Sequence, residues 1–340
     1  MIALQGTPGG FFATIGQARE AGMLDGLGFR FSISATNVFW ASLIGGTDMW
    51  TRYFCFDQAQ VQRVLTSRSM KGVKTSFLAS AIIMNVVYFA MLFVGLVLWL
   101  FYDGQAFESS NQVMIGFILE NLPVGIVGLV IAGAFAAAMS SVDSLLNSLT
   151  TVFVKNIYEE YISKSEEEAS LRTTMTIAAV FGVVVIFIVI LGFGGTVESV
   201  LNVVGRYISY FAGPALGTFL LAMFTLKAND KGTAIGFVTG FLAGFWIAQT
   251  FQVSWLWNPA IGCTLTLIIG MLASILFKDN SKDIEEIREF TAIGMRKKII
   301  SDGLPQEEDG VSILPFQMDK YAIAALVFFF SQYIVLLLIR

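Results

Sequence analysis

The sequence predicts an all-α integral membrane protein with about eight transmembrane helices, and three observations carry that reading. Of the 340 residues, 56% are hydrophobic and 14% charged, whereas soluble domains average about 25% charged residues. Apolar runs of about 20 residues, the length that crosses a bilayer, recur along the chain. Lysine and arginine collect on one side of those runs, as cytoplasmic loops do. The absence of histidine excludes Ser/His/Asp triads, HExxH zinc sites and imidazole proton shuttles. With a formal net charge of −4 and no basic cluster interleaved with aromatics, nothing points to nucleic acid. Cys55 and Cys263 sit in or beside apolar segments and imply no disulfide framework.

In chain order, residues 1–34 are polar and glycine-rich, without the basic and apolar regions of a signal peptide, and read as an extracellular segment. Spans are expected near 35–54, 76–101, 124–153, 173–194, 200–224, 233–251, 257–277 and 321–339. The stretch 35–277 thus holds seven helices, 278–320 a cytoplasmic loop, and 321–340 the last helix. If the first span runs inward, the inner loops hold 16 of the 21 basic residues. They are Arg63, Arg68, Lys71 and Lys74; Lys155, Lys164 and Arg172; Lys227 and Lys231; and seven from Lys278 to Lys320. The outer loop from Tyr102 to Pro123 has Asp103, Glu108 and Glu120 with no base. Ser281 to Ile300, with Ile284, Ile287 and Phe290 at helical spacing, reads as a helix lying on the inner surface. Gly232, Gly236, Gly240 and Gly244 form the small-xxx-small stripe of close helix packing. Gly45-Gly46 and Pro214 are either simple kinks or broken helices lining a cavity.

The third span carries the candidate ion site. At 100° per residue, Ala137, Ser140, Ser141, Ser144, Asn147, Ser148 and Thr151 share one face, while Met139, Val142, Leu145, Leu146, Leu149 and Phe153 take the other. Serines alone can simply glue helices together. Asp143 alters that balance, because an ionised carboxylate at helix centre costs about 2.5–3.5 kcal/mol and needs a partner, a cation or a proton. Hydroxyls, a carboxylate and the Ala137 carbonyl supply the oxygens that a hard cation such as Na+ prefers.

In the first span Asp48 and Arg52 are spaced to pair with each other, or to line a pocket with Asn37, Trp40, Trp50, Tyr53 and Phe54. Arg206, near Asn202, Gly205 and Tyr207, suits an anionic substrate or a lipid headgroup. An intramembrane protease pair of Asp48 and Asp143 sits in no catalytic motif, so no enzyme is expected.

Several blocks are recognisable together: Gly46-Thr47-Asp48, Asp57 to Arg63, Ser67-Arg68-Ser69, Ala136 to Ser148, Gly213 to Gly217, and Lys227 to Gly232. In this order they resemble the sodium/solute symporter family over roughly residues 1–250. The resemblance implies a leucine-transporter-like fold of two five-helix inverted repeats, with the second core repeat over 35–224 and two extra helices after it. It further implies that Met1 falls near the end of the fifth core helix. The first repeat would then be missing, and this chain alone would transport nothing.

The function implied is sodium-driven symport of a small organic solute across the plasma membrane. Its partners would be Na+, the solute, the lipid bilayer and the missing N-terminal helices of the same carrier. By position, Ala137, Ser140 and Ser141 match the main sodium site, and Asp143 and Ser144 a second cation site. Several relatives carry serine where Asp143 stands, so this second site is altered or takes a proton. Trp50 and Tyr53 match substrate-contacting and gating positions, with Asp48, Arg52 and Arg206 as further substrate candidates. Met84 stands where sugar carriers have lysine, and Gln5-Gly6-Thr7 with Gly9-Gly10 looks closest to the monocarboxylate and multivitamin carriers, so a monocarboxylate-like anion leads. The alternatives are another solute of the same family, sugar included, and a truncated, non-transporting membrane protein.

Overall fold

The computed structural model describes residues 10–24, 28–36, 38–163, 169–193, 199–278 and 284–339. Asn37, the segment Gln5 to Gly9, and Ser281 lie outside the described residues. The helices are α1 (Gly10–Glu20), α2 (Phe39–Phe56), α3 (Gln58–Leu65), α4 (Met70–Phe101), α5 (Ser110–Asn121), α6 (Val124–Phe153), α7 (Leu171–Phe193), α8 (Val200–Phe224), α9 (Asp230–Thr250), α10 (Asn258–Leu276), α11 (Ile284–Phe290), α12 (Ala292–Ser301) and α13 (Lys320–Ile339). A π-helical stretch, Val154–Ser163, continues α6, and a two-stranded hairpin pairs β1 (Glu307–Glu308) with β2 (Val311–Ser312).

Helix starts follow from local chemistry. Asp57, Ser69, Ser109, Asn229 and Thr291 each accept a hydrogen bond from a backbone N–H of the turn they open, satisfying groups that a helix start otherwise leaves unpaired. Proline at the second position begins α10, where a missing N–H costs nothing. Seven helices are long and apolar enough to cross a membrane among the described residues, namely α4, α6, α7, α8, α9, α10 and α13. The expected first span, α2, has 18 residues; Gly45, Gly46, Asp48 and Arg52 leave it less apolar than the others.

The chain forms two compact units, one of Met1–Gln105 with Val200–Arg340 and one of Ala106–Ser199. The core of the first is the bundle α8, α9 and α10, on which α2 packs. The stripe on α9 is a contact surface, as its spacing indicates. A methyl on Gly236 would fall 2.6 Å from Gly270 Cα, and one on Gly232 2.1 Å from Ser274 Oγ, so these backbones touch. Pro214 is fully buried inside α8, its ring against Gly262 of α10. A methyl on Gly45 would fall 1.5 Å from Leu256 O, so α2 rests directly on the α9–α10 turn. Gly45 and Pro214 are thus contact positions, whereas Gly46 meets nothing within 4 Å and lines a cavity.

The expected surface helix from Ser281 to Ile300 is instead two helices. Thr291 breaks it, donating its hydroxyl to Arg288 O at 2.8 Å and accepting from Gly294 N at 3.1 Å. The hairpin that follows buries Val311, and Leu314 just after it is buried as well. It is tied to α4 by Lys74 Nζ, which donates to Ser312 O at 2.6 Å and to Asp319 Oδ2 at 2.5 Å.

Candidate functional site

The serine-rich flank stands in the second unit, on α6. Ala137, Ser140, Ser141 and Asp143 are exposed and Ser144 is half-buried. Ser141 Oγ donates to Ala137 O at 3.1 Å, and Ser144 Oγ to Ser140 O at 3.0 Å. A serine hydroxyl has one proton and two lone pairs, so the Ser141 back-bond turns its proton into the helix and leaves its oxygen lone pairs outward. The Ser140 hydroxyl and the Asp143 carboxylate have no partner among the described residues. Lower on the helix the surroundings change: Ser148 and Thr150 are buried, and Phe153 meets Phe181 of α7 edge to face at 5.3 Å. The flank above is thus uncovered and rich in oxygen acceptors, a set that fits a hard monovalent cation.

The proposed solute residues do not converge on one pocket. Arg52 Nη1 pairs with Asp57 Oδ2 at 3.3 Å, not with Asp48. Asp57 leaves the helix in extended conformation and its other oxygen caps α3, so one carboxylate serves both helices at their corner. Tyr53 joins the same corner, its hydroxyl accepting from Gln60 Nε2 at 2.6 Å. Asp48 is half-buried and makes no ion pair among the described residues. Trp50, packed edge to face on Tyr53 at 5.7 Å, lines a cavity of about 820 Å³ between α2, α4 and α13, with Thr47, Thr51, Asn85, Gln332 and Tyr333. Trp40, expected beside it, instead donates through Nε1 to Phe29 O at 3.1 Å. Arg206 lines a separate pocket at the α9–α10 turn.

Known proteins give this geometry its setting. The model of the sodium:solute symporter family matches residues 18–240, about two thirds of the chain, including the serine flank and all five solute candidates. The chain belongs to the sodium:solute symporter family. It is 27% identical over 244 residues to the sodium/sialic acid symporter NanT of Aliivibrio fischeri, covering 69% of this chain and 48% of that protein. Against the human sodium-coupled monocarboxylate transporter 1 it is 26% identical over 255 residues, covering 72% and 41%. Against the rabbit sodium-dependent multivitamin transporter it is 27% identical over 241 residues, covering 68% and 37%. The chain thus spans about half the length of the curated relatives it matches, or less.

Its fold resembles a solved structure of a Na+-coupled sialic acid symporter in a substrate-bound, outward-open state, with a TM-score of 0.65 and 23% identity. That likeness covers 81% of this chain and 58% of the other. It supports the leucine-transporter-like fold. Apolar helices and family together make the protein a multi-pass membrane protein.

Sequence reasoning missed the polar atoms around Arg206. Ser254 Oγ, Trp255 Nε1 and Asn258 Oδ1 are buried without a partner. The available signal was a Ser-Trp-Leu-Trp-Asn-Pro run wedged between two apolar spans, polar residues where a short turn must be buried.

Proposed function

We propose that this protein acts in sodium-coupled symport of a small organic solute across the plasma membrane by alternating access. The observation that carries this reading is the uncovered oxygen flank of α6. Ala137 O, Ser140 Oγ and Ser141 Oγ would hold the main sodium ion. Asp143 and Ser144 would hold a second cation, or Asp143 a proton. Na+ is the ion named in the relatives above, and the inner loops carry the positive charge of a cytoplasmic face. Each cation crossing 100 mV releases about 2.3 kcal/mol, a roughly 50-fold accumulation when about 1.4 kcal/mol is tenfold. Binding of ion and solute would be reciprocally coupled by linkage.

The solute would contact Trp50 and the polar groups beside it, Thr47, Asn85 and Gln332, in the large cavity. A small monocarboxylate-like anion leads, in keeping with the monocarboxylate relatives.

The test is uptake of radiolabelled pyruvate into proteoliposomes under an imposed sodium gradient. It is run with this chain and with a longer chain in which the first half of the monocarboxylate relative precedes it. The longer chain is expected to take up pyruvate, and its Ser140→Ala and Ser141→Ala variants to need about tenfold more sodium, the loss of about 1.4 kcal/mol of ligation. Absence of sodium-driven uptake of any organic solute in both chains, or unchanged sodium dependence in both variants, overturns the assignment.

A further inference from the structure

The α9–α10 turn is stitched to the segment 28–36. Ser254 N donates to Ile33 O at 2.9 Å and Trp257 Nε1 to Ser32 O at 3.1 Å, while Phe31 meets Trp257 edge to face at 5.5 Å. Between these two segments and the start of α8 lies a pocket of about 250 Å³, walled by Ser34, Arg206, Gln252, Ser254, Trp255 and Asn258 among others. It shares no lining residue with the Trp50 cavity.

Three of these residues each carry a buried polar atom without a hydrogen-bond partner among the described residues: Ser254 Oγ, Trp255 Nε1 and Asn258 Oδ1. Ser254 is 6% exposed and Asn258 3%. Native proteins leave few such atoms unpaired, because nothing offsets the water they lose, so three on one wall point to a group that completes them. Their chemistry defines that group. The indole N–H of Trp255 can only donate, and the Ser254 hydroxyl can donate as well. Asn258 spends its amide N–H on Ser209 Oγ at 3.0 Å, and its Oδ1 can only accept. The wall therefore offers two donors and one acceptor. Arg206 is engaged in an interaction of its own, so its charge is not counted toward a ligand.

We propose that this pocket binds a small uncharged carboxamide, at a site separate from the transport cavity and independent of the transport reading. One amide group meets all three atoms. Its carbonyl oxygen, with two lone pairs, accepts from Trp255 Nε1–H and Ser254 Oγ–H, and its N–H donates to Asn258 Oδ1. A carboxylate supplies the acceptors but has no proton for Oδ1, and sets negative charge against it. The three atoms are closed to water in this conformation, so the amide seats by displacing exposed wall side chains such as Gln252. The volume equals about eight water molecules at ~30 Å³ each, room for an amide of about six heavy atoms.

The experiment is equilibrium dialysis of radiolabelled propionamide against the purified full chain, in a detergent without amide or carboxylate groups. Saturable binding of one propionamide per chain is expected, equal in sodium and potassium buffers and unaffected by excess pyruvate. Propionate and N,N-dimethylpropionamide, which lack the N–H, should compete at least about fivefold more weakly, the worth of roughly one hydrogen bond. Trp255→Phe, which keeps a ring beside Gly205 and loses the indole N–H, and Ser254→Ala should each bind propionamide at least about fivefold more weakly. Ser254→Ala also deletes an unpaired buried group, so its Tm without ligand should be equal or higher, which separates lost binding from lost folding. If Trp255→Phe does not fold, Ser254→Ala carries the test. No saturable binding, equal competition by propionate or the dimethyl amide, full binding in either folded variant, a requirement for sodium, or displacement by pyruvate would each overturn the proposal. So would a lower ligand-free Tm in Ser254→Ala, the mark of a water already held on that hydroxyl.

Discussion

Asn229 closes two helix ends with one side chain. Its Oδ1 accepts from Gly232 N at 2.8 Å to start α9, while its Nδ2 donates to Ser274 O at 3.1 Å and Phe277 O at 2.9 Å at the end of α10. Asn229→Ala removes an N-cap, worth about 0.5–2 kcal/mol, and leaves the two α10 carbonyls to find water. The variant should therefore unfold at lower temperature in detergent, by about 1–2 kcal/mol, while Asn229→Asp, which keeps the cap but loses the donor, should fall between. Residue-level roles were only partly legible. The serine flank could be read from helical period alone, and the structure leaves it uncovered. The partner of Arg52 could not, because pairing with Asp57 depends on how the chain turns after Phe56. Asp48 at i−4 met the spacing rule, but a carboxylate at a turn that also caps α3 was the partner within reach.

Among elements, the glycines of α9 and α6 make opposite predictions from the same residue type. Gly236 lies against the backbone of Gly270, which has no flexible end to move aside. Gly236→Ala should cost about 1–3 kcal/mol as overpacking. Gly128 in α6 meets nothing within 4 Å, so Gly128→Ala should raise stability by up to about 1 kcal/mol through helix propensity. Paired thermal melts of the two variants check both signs. The spacing of four predicted that α9 packs closely, but not on which helix. The break at Thr291 also escaped the periodic reading, since Ile284, Ile287 and Phe290 keep helical spacing right up to a residue whose side chain caps the next helix.

On the scale of the molecule, the stretch from α11 to the hairpin is folded onto the charged ends of the first unit. Met70 N donates to Glu308 Oε2 at 3.1 Å, and Phe224 and Phe316 pack at 5.7 Å between ring centres. Lys74 holds the Asp319 carboxyl below the usual carboxylate range by a hydrogen bond, helped by the backbone N–H groups of Ala322 and Tyr321. A carboxyl with a depressed folded-state pKa contributes stability above its unfolded value, about 3.9, and loses it as pH falls through the lower folded value. Protease protection of the 284–319 stretch should accordingly persist at neutral pH and fall below about pH 4, and Lys74→Met should weaken it at neutral pH and flatten that dependence. At the opposite extreme, Glu289 raises the Lys298 ammonium above the usual lysine range, so this pair's contribution is present below about pH 10.4 and fades as pH rises through the folded value.

The sequence by itself determined that the protein is helical and membrane-embedded, where its seven long apolar helices run, and that one face of α6 is rich in oxygen. These are properties of length, period and composition, and each is written within 20 or so neighbouring residues. Only the tertiary structure decided that Arg52 belongs to a corner, that Trp50 and Arg206 serve separate cavities, and that Ser254, Trp255 and Asn258 surround the second. Those outcomes depend on contacts such as Trp257 to Ser32, 225 residues apart. No local pattern encodes which turn will close on which helix end.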